Sequence, residues 1–292
     1  MTDLVPVQVD RLPAEPHYRP TTRRSWQLGG LTVGAAVTGL AVLAVGSPLG
    51  LVGLAGAIGA YVAIVGWQLG RRRRAIKLVG ENDDGVALLN AGDIDGAARV
   101  FDQLASDARS IPFHHALVVY NRAITYLRQG EPEQALRLLA AVQHAGWLEV
   151  KNLPYRSLLA IGVSSAYAQV GDLQQAVAWQ QRAHGLVSPA KRGLLVSLDA
   201  TIATRAGDYA AAAQIFELGW ASAEGLLPAA QMRSLKALKA FVLLHLPPDA
   251  ARRAEVDRII AELTPPRGSE FFGMGARWPE MQDFLLHYAL VR

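Results

Sequence analysis

The feature that most constrains this chain is an uninterrupted apolar stretch near its N-terminus. Residues 27–70 are 44 positions without a single Asp, Glu, Lys, Arg or His. A helix that crosses a lipid bilayer needs about 20 such residues, so the stretch is long enough for two crossings. Pro48 and the glycines beside it interrupt the helical pattern near the middle, because proline lacks an N–H and glycine tolerates turn dihedrals. The stretch therefore predicts a two-helix transmembrane hairpin, with helices at roughly Trp26–Val45 and Leu51–Leu69.

Basic residues flank this stretch on both sides. Lys and Arg close to the ends of membrane helices stay on the cytoplasmic side. The sequence therefore predicts an integral protein of a bacterial inner (plasma) membrane, with both termini in the cytoplasm. The residues that would set this topology are Arg23, Arg24, Arg71, Arg72, Arg73 and Arg74.

Small residues recur at four-residue spacing within the apolar stretch. Such spacings let helix backbones approach closely in lipid. Two interpretations stay open: the two helices pack on each other, or one of these faces drives self-association. The positions are Gly30, Gly34, Gly56, Ala60, Gly66 and Gly70.

The charge balance and the absence of cysteine exclude several classes of function. The net charge of +4 arises beside the apolar stretch, because residues 78–292 contain 20 basic and 22 acidic residues. A nucleic-acid surface would need its basic residues on that second part. Without cysteine, disulfides, thiolate metal sites and cysteine nucleophiles are excluded. We also find no phosphate-binding glycine loop and no hydrolase or zinc-protease motif, so we expect no enzyme, no cofactor and no metal.

The second clear signal is an internal repeat after residue 81. Gly-acid pairs recur at spacings of 38, 41 and 36 residues. An alanine follows each glycine by five positions, and a small residue precedes it by seven, where the helices would cross closely. Nine positions after the glycine, three of the four units carry a large apolar residue that would fill the gap between units: Phe101, Leu139 and Phe216. This pattern predicts two antiparallel helices per unit, with the glycine ending the first helix and the acid starting the second. The pairs are Gly92-Asp93, Gly130-Glu131, Gly171-Asp172 and Gly207-Asp208.

The repeat resembles the tetratricopeptide repeat (TPR) family over about half of the chain. The best local match is the run from Tyr120 through Tyr126 to Gly130 and Ala135. The family's unit is 34 residues long, so the loops here carry insertions. The resemblance implies an α-solenoid whose first helices line a concave face that binds a peptide or a partner's helix.

Together these signals predict an all-α protein in five parts. They are a disordered cytoplasmic tail (1–25), the transmembrane hairpin (26–70), a basic juxtamembrane linker (71–80), about four TPR-like helix pairs (81–224) and a helical C-terminal cap (225–292). Within the last part, helices are expected at Pro228–Leu246, from Asp249 to about Leu263, and at Pro279–Leu290. This region could instead add one degenerate repeat.

The resemblance also implies where a partner would bind. Polar residues stand two positions before each repeat glycine, and an asparagine occupies a position that the family often uses to hold a peptide. The family members that bind chaperone tails pair that asparagine with basic residues, but Leu158 and Gly162 stand there, so no chaperone C-terminus is expected. Ordinary solvation of helix ends is the alternative explanation of the polar column. The expected partner-binding residues are Asn90, Asn121, Arg128, Gln169 and Arg205.

The function that these observations favour is a membrane-anchored scaffold or adaptor that recruits a protein partner to the cytoplasmic face of the membrane. The alternative is a structural subunit or assembly factor of a larger membrane complex, with the hairpin as its main interface. In that case the hairpin could also bind further copies of the same chain and form a homo-oligomer. The partners expected are a protein in the groove and membrane lipids, without nucleic acid. The partner's identity, the oligomeric state and the pathway do not follow from the sequence.

Overall fold

All regular secondary structure in the described part of the chain is helical. The computed structural model of the protein describes residues 50–144, 148 and 155–291. Two 3₁₀ segments, Ala108–Ser110 and Pro189–Leu195, connect helices. The α-helices are α1 (Gly50–Ala91), α2 (Ile94–Asp107), α3 (Pro112–Arg128), α4 (Pro132–His144), α5 (Arg156–Val170), α6 (Leu173–Leu186), α7 (Val196–Arg205), α8 (Tyr209–Glu224), α9 (Ala229–His245), α10 (Ala250–Leu263), α11 (Phe272–Gly275) and α12 (Pro279–His287).

The Gly-acid pairs form the turns within helix pairs, as the sequence predicts. All four glycines have a positive φ of 76–87°, a left-handed conformation that favours glycine at a helix end. Three of the acids then cap the next helix: the carboxylates of Asp93, Asp172 and Asp208 accept from the backbone N–H three residues on, at 2.8–3.0 Å. An N-terminal cap of this kind stabilises a helix by about 1 kcal/mol.

The small and large repeat positions pack as the pattern predicts. Ala123, Ser164 and Ala200 are fully buried where the two helices of a pair cross. Phe101, Leu139 and Phe216 are almost fully buried between pairs. These contacts build two adjoining hydrophobic clusters that meet at α7, whose Leu198 belongs to the first and whose Ala200 belongs to the second.

The first helices of the pairs form a closed ring. α1 contacts α3, α3 contacts α5, α5 contacts α7, α7 contacts α9, and α9 returns to contact α1. The second helices of the pairs, α2, α4, α6, α8 and α10, pack on the first ones. The curvature of the solenoid therefore closes within five helix pairs, and its concave face becomes the inside of a ring.

The C-terminal region continues the alternation and then turns back. The predicted helices at its start and middle are confirmed as α9 and α10, with the Asp249 carboxylate accepting from the N–H of Ala251 at 3.2 Å. They act as a fifth pair. The last predicted helix is also confirmed, as α12, although it ends at His287. Between α10 and α12, residues 265–278, which we call the strap, contact the carboxyl ends of α1, α3 and α7 and the first turns of α9.

The predicted membrane segment does not have the expected form. Among the residues that the structure describes, no helix is both long enough and apolar enough to span a bilayer. The second predicted membrane helix is only the first part of α1, which continues without a break through Arg71–Arg74 and Glu81 to Ala91. The predicted basic linker is likewise helical. Apolar and charged residues thus share one helix that ends inside the ring.

This finding overturns two predictions. The transmembrane hairpin at 26–70 is wrong as a description of the fold, and so is the placement of the chain as an integral protein of a bacterial inner membrane. The tail 1–25, the first predicted membrane helix with Gly30 and Gly34, and the topology residues Arg23 and Arg24 lie outside the described residues, as do the surroundings of Gly56 and Ala60. At Gly66 and Gly70, a methyl group in place of the hydrogen would have no described atom within 4 Å.

Candidate functional site

The ring encloses a central cavity of about 510 Å³. Its wall is formed by side chains from all five inner helices and from the strap. A volume of 300–1,000 Å³ is typical of sites that bind a small ligand or the end of a chain. The cavity is therefore the candidate binding site of this protein.

The strap closes the floor of the cavity. The Arg267 carbonyl lies so close to Gly92 that an added Cβ would be 2.7 Å from it, and a Cβ at Gly130 would be 3.1 Å from that of Ala276. Arg277 forms an ion pair with Glu133. The strap thus touches the ends of α1 and α3 and is tied to α4, which places the floor at the carboxyl ends of α1, α3 and α7.

Arg128 stands on the floor at the end of α3. Its guanidinium donates a hydrogen bond of 3.1 Å to the backbone carbonyl of Leu89, near the end of α1. Burial lowers the pKa of Arg128, while the carboxylate of Glu270 and, once it ionises, the phenol of Tyr120 act in the opposite direction. Burial likewise raises the pKa of the Tyr120 phenol, to about 12, so that at neutral pH this group is a neutral donor on the cavity wall.

Arg205 repeats this arrangement at the end of α7. Its guanidinium donates at 3.2 Å to the carbonyl of Gln169 and at 3.2 Å to that of Ala276 in the strap. It also lies 4.6 Å from the centre of the Trp278 ring, a cation–π contact. Burial lowers the pKa of Arg205 to about 10, with the charge of Glu280 opposing the shift, so the group stays positively charged at neutral pH.

Glu270 is the carboxylate of the strap; it lies beside the first turns of α9, where Arg233 matches its charge. Both of its oxygens accept from Arg233, the shortest contact being 2.7 Å, and one also accepts from the N–H of Arg267. The exposed fractions of the two side chains are only 3% for Glu270 and 14% for Arg233. This buried, bidentate pair fixes the strap to α9.

The opposite end of the cavity is mostly apolar, although Ser197 and Gln231 also line it. Leu158 lies in the first turn of α5, Leu194 precedes α7, and Leu226, Leu227 and Pro228 precede α9. We call this end, at the amino ends of the inner helices, the mouth of the cavity, because the strap covers the carboxyl ends of α1, α3 and α7. The cavity therefore changes from apolar at the mouth to charged at the floor.

The structure brings together four of the five predicted partner-binding residues. Asn121, Arg128, Gln169 and Arg205 all line the cavity, whereas Asn90 does not. Asn121 is buried and donates a hydrogen bond of 2.7 Å to Asn82, so its amide joins α3 to α1. The two arginines join neighbouring inner helices through their carbonyls. Part of the polar column therefore bonds neighbouring helix ends to each other, whereas the alternative explanation was ordinary solvation of helix ends.

Sequence reasoning missed the contribution of the C-terminal region. Glu270, Met274 and Trp278 reach the cavity only because the ring closes and the strap crosses it. No local pattern marks them. Within the described part of the chain, groups of three or more His, Asp or Glu side chains that could hold a metal ion are absent.

No protein-family model, curated protein or solved structure matches this chain. The TPR resemblance therefore stays a prediction that rests on the repeat pattern.

Proposed function

We propose that this protein is an adaptor that recruits a protein partner through its central cavity, and that it is not an enzyme. The observation that carries the proposal is the cavity of about 510 Å³, which gathers four of the five predicted partner-binding residues on one wall surface. The TPR resemblance supports it, since the first helices of that family line the binding face.

Closure of the ring limits which part of a partner protein can enter the cavity. A peptide cannot run through the cavity past the strap, because the strap is packed against the ends of α1 and α3 and bonded to Arg205. The mouth, in contrast, is apolar and suits apolar side chains. We therefore propose that the partner inserts the end of its chain through the mouth. The alternative of an assembly factor placed its interface in the transmembrane hairpin, which the structure does not support.

The test compares two matched variants of the full chain. Leu158→Trp adds bulk at the mouth, and Leu218→Trp adds the same group on α8 at a side chain that is 81% exposed. Affinity capture should retain a partner with the native chain and with Leu218→Trp, and lose it with Leu158→Trp. Removing the last residues at the inserting end of the captured partner should also abolish binding. A partner held equally by both variants would contradict the proposal.

A further inference from the structure

The floor of the cavity carries two positive charges that no direct ion pair neutralises. Neither Arg128 nor Arg205 lies within 4 Å of a carboxylate in the described parts of the chain. Their hydrogen bonds go to the backbone carbonyls of Leu89, Gln169 and Ala276. Glu270 is engaged by Arg233. The carboxylates of Glu270 and Glu280 act on Arg128 and Arg205 only from beyond ion-pair distance. Buried charges without a directly paired counter-ion are costly, so an anionic group in contact with the two arginines would stabilise them.

The hydrogen-bonding capacity of the floor is also incompletely used. The guanidinium of Arg205 has five N–H donors, and its Nε is buried without an acceptor in the described structure. Gln169, whose backbone accepts from Arg205, has a buried side-chain carbonyl oxygen without a donor. A ligand with both an acceptor and a donor, or with a bound water, would satisfy these atoms.

The strap contacts the ends of both helices that carry the two arginines. Gly273 packs directly on the last carbonyls of α3, at Leu127 and Arg128. Three residues later, Ala276 lies beside Gly130 and accepts from Arg205. The guanidinium of Arg205 therefore reaches across the floor toward the end of α3.

The rest of the cavity fixes the shape of a suitable ligand. Leu158 at the mouth and Gln169 at the floor are eleven residues apart on α5, which corresponds to about 16 Å along a helix. Between these levels the wall is largely apolar, with Ile161, Leu198 and Leu238. A matching ligand has an elongated apolar body and one anionic end.

We propose that the cavity binds a small amphipathic carboxylic acid, whose carboxylate pairs with Arg128 and Arg205 and whose apolar body points to the mouth. A carboxylate matches the planar fork of a guanidinium and can accept two parallel hydrogen bonds from it. The inference deepens the proposed function and rests on its premise that the cavity is a binding site. The acid and the end of a partner's chain compete for the same space, so the acid acts as an effector that releases the partner.

The first test uses the full native chain and isothermal titration calorimetry. The probe is decanoate below its micelle concentration, and the control is decan-1-ol, which has the same body without the charge. Decanoate should bind at least tenfold more tightly than the alcohol, since bidentate charged hydrogen bonds add to the apolar contact. Equal affinities, or no binding of decanoate, would overturn the inference.

Variants then assign the interaction to the floor. Arg205→Gln and Arg128→Gln should each weaken decanoate binding at least tenfold while leaving decan-1-ol unchanged. Arg253→Gln, at a side chain that is 64% exposed on α10, is the control and should bind as the native chain does. If circular dichroism shows that a floor variant is unfolded, the difference in affinity between decanoate and decan-1-ol on the native chain still tests the inference. Unchanged binding by folded floor variants would overturn the assignment.

Two further arms separate the sources of the anion. A peptide with apolar C-terminal residues and a free carboxylate should compete with decanoate. If that peptide binds but decanoate does not, the small acid is excluded and the end of a partner's chain remains. Displacement of decanoate by millimolar inorganic phosphate would also overturn the inference. If decanoate binds but no captured protein requires the mouth for its binding, the inference about the acid stands and the adaptor proposal fails.

Discussion

The guanidinium of Arg205 donates a hydrogen bond of 3.2 Å to the backbone carbonyl of Gln169, which lies one repeat earlier near the end of α5. Arg128 makes the equivalent bond of 3.1 Å to Leu89. Both arginines stand two positions before a repeat glycine. The last carbonyls of a helix have no partner within that helix, and here the next repeat supplies one. The same column of residues thus joins the inner helices and gives the cavity its charge.

The bond from Arg205 predicts an effect on stability. Arg205→Met should lower the free energy of unfolding by about 1–3 kcal/mol, because hydrogen bonds to charged groups contribute about that much. Arg205→Lys should recover less than half of the loss, since an ammonium cannot reach the two carbonyls as a fork does. Urea denaturation of the full chain measures both. A lysine variant as stable as the native protein would show that charge alone matters.

The buried pair of Arg233 and Glu270 predicts a larger loss. Glu270→Gln leaves Arg233 without its counter-ion, and breaking a buried pair in this way costs about 3–5 kcal/mol. The double variant Arg233→Met with Glu270→Met should recover part of that loss, because it removes both charges. Thermal unfolding followed by circular dichroism gives the comparison.

The control for this pair lies on α10. Asp257→Asn affects an ion pair of 3.8 Å in which both side chains are 64% exposed. Such surface pairs contribute about 0–1 kcal/mol. If Glu270→Gln shifted the transition no more than Asp257→Asn, the strap would not depend on the buried pair.

Two repeat glycines with similar backbone dihedrals allow the contact with the strap to be distinguished from the strain of the repeat turn. Gly92 has φ +87° and touches the strap, whereas Gly207 has φ +78° and has no neighbouring atom within 4 Å of an added Cβ. Alanine at either position should cost about 1–2 kcal/mol through left-handed strain. Only Gly92→Ala should also raise hydrogen–deuterium exchange across residues 265–278. Equal exchange in the two variants would mean that the strap is not held at α1.

His114 predicts a pH dependence of stability. Burial lowers the pKa of His114 below its ordinary value of 6.5, so the unfolded chain binds this proton more readily than the folded chain. Stability should therefore fall as the pH decreases from about 6.5, toward the folded pKa. His114→Gln should reduce this slope in urea denaturation between pH 7 and pH 5. His287→Gln, at an exposed position, is the control, and equal slopes in both variants would contradict the prediction.

Local patterns predicted most of the helices of the repeats and of the C-terminal region. The turn at Gly171 requires a residue with left-handed backbone dihedrals, and Asp172 then caps the next helix. Both effects act within a few residues of the chain. Burial of Phe101 between helix pairs followed from its place in the repeat. The membrane prediction rested on a count of uncharged residues, and no helix among the described residues is long and apolar enough to span a bilayer. α1 incorporates Arg71–Arg74 and ends within the ring.

The sequence by itself thus determined the helix pairs, their turns and the positions that pack, since these depend on short-range chemistry that recurs along the chain. Only the tertiary structure decided that five inner helices close into a ring and that the strap covers one end of it. Ring closure depends on small rotations that accumulate from one pair to the next, and the strap depends on contacts between residues far apart in sequence, such as Arg205 with Ala276. Those long-range contacts turn a predicted open groove into a cavity with an apolar mouth and a charged floor.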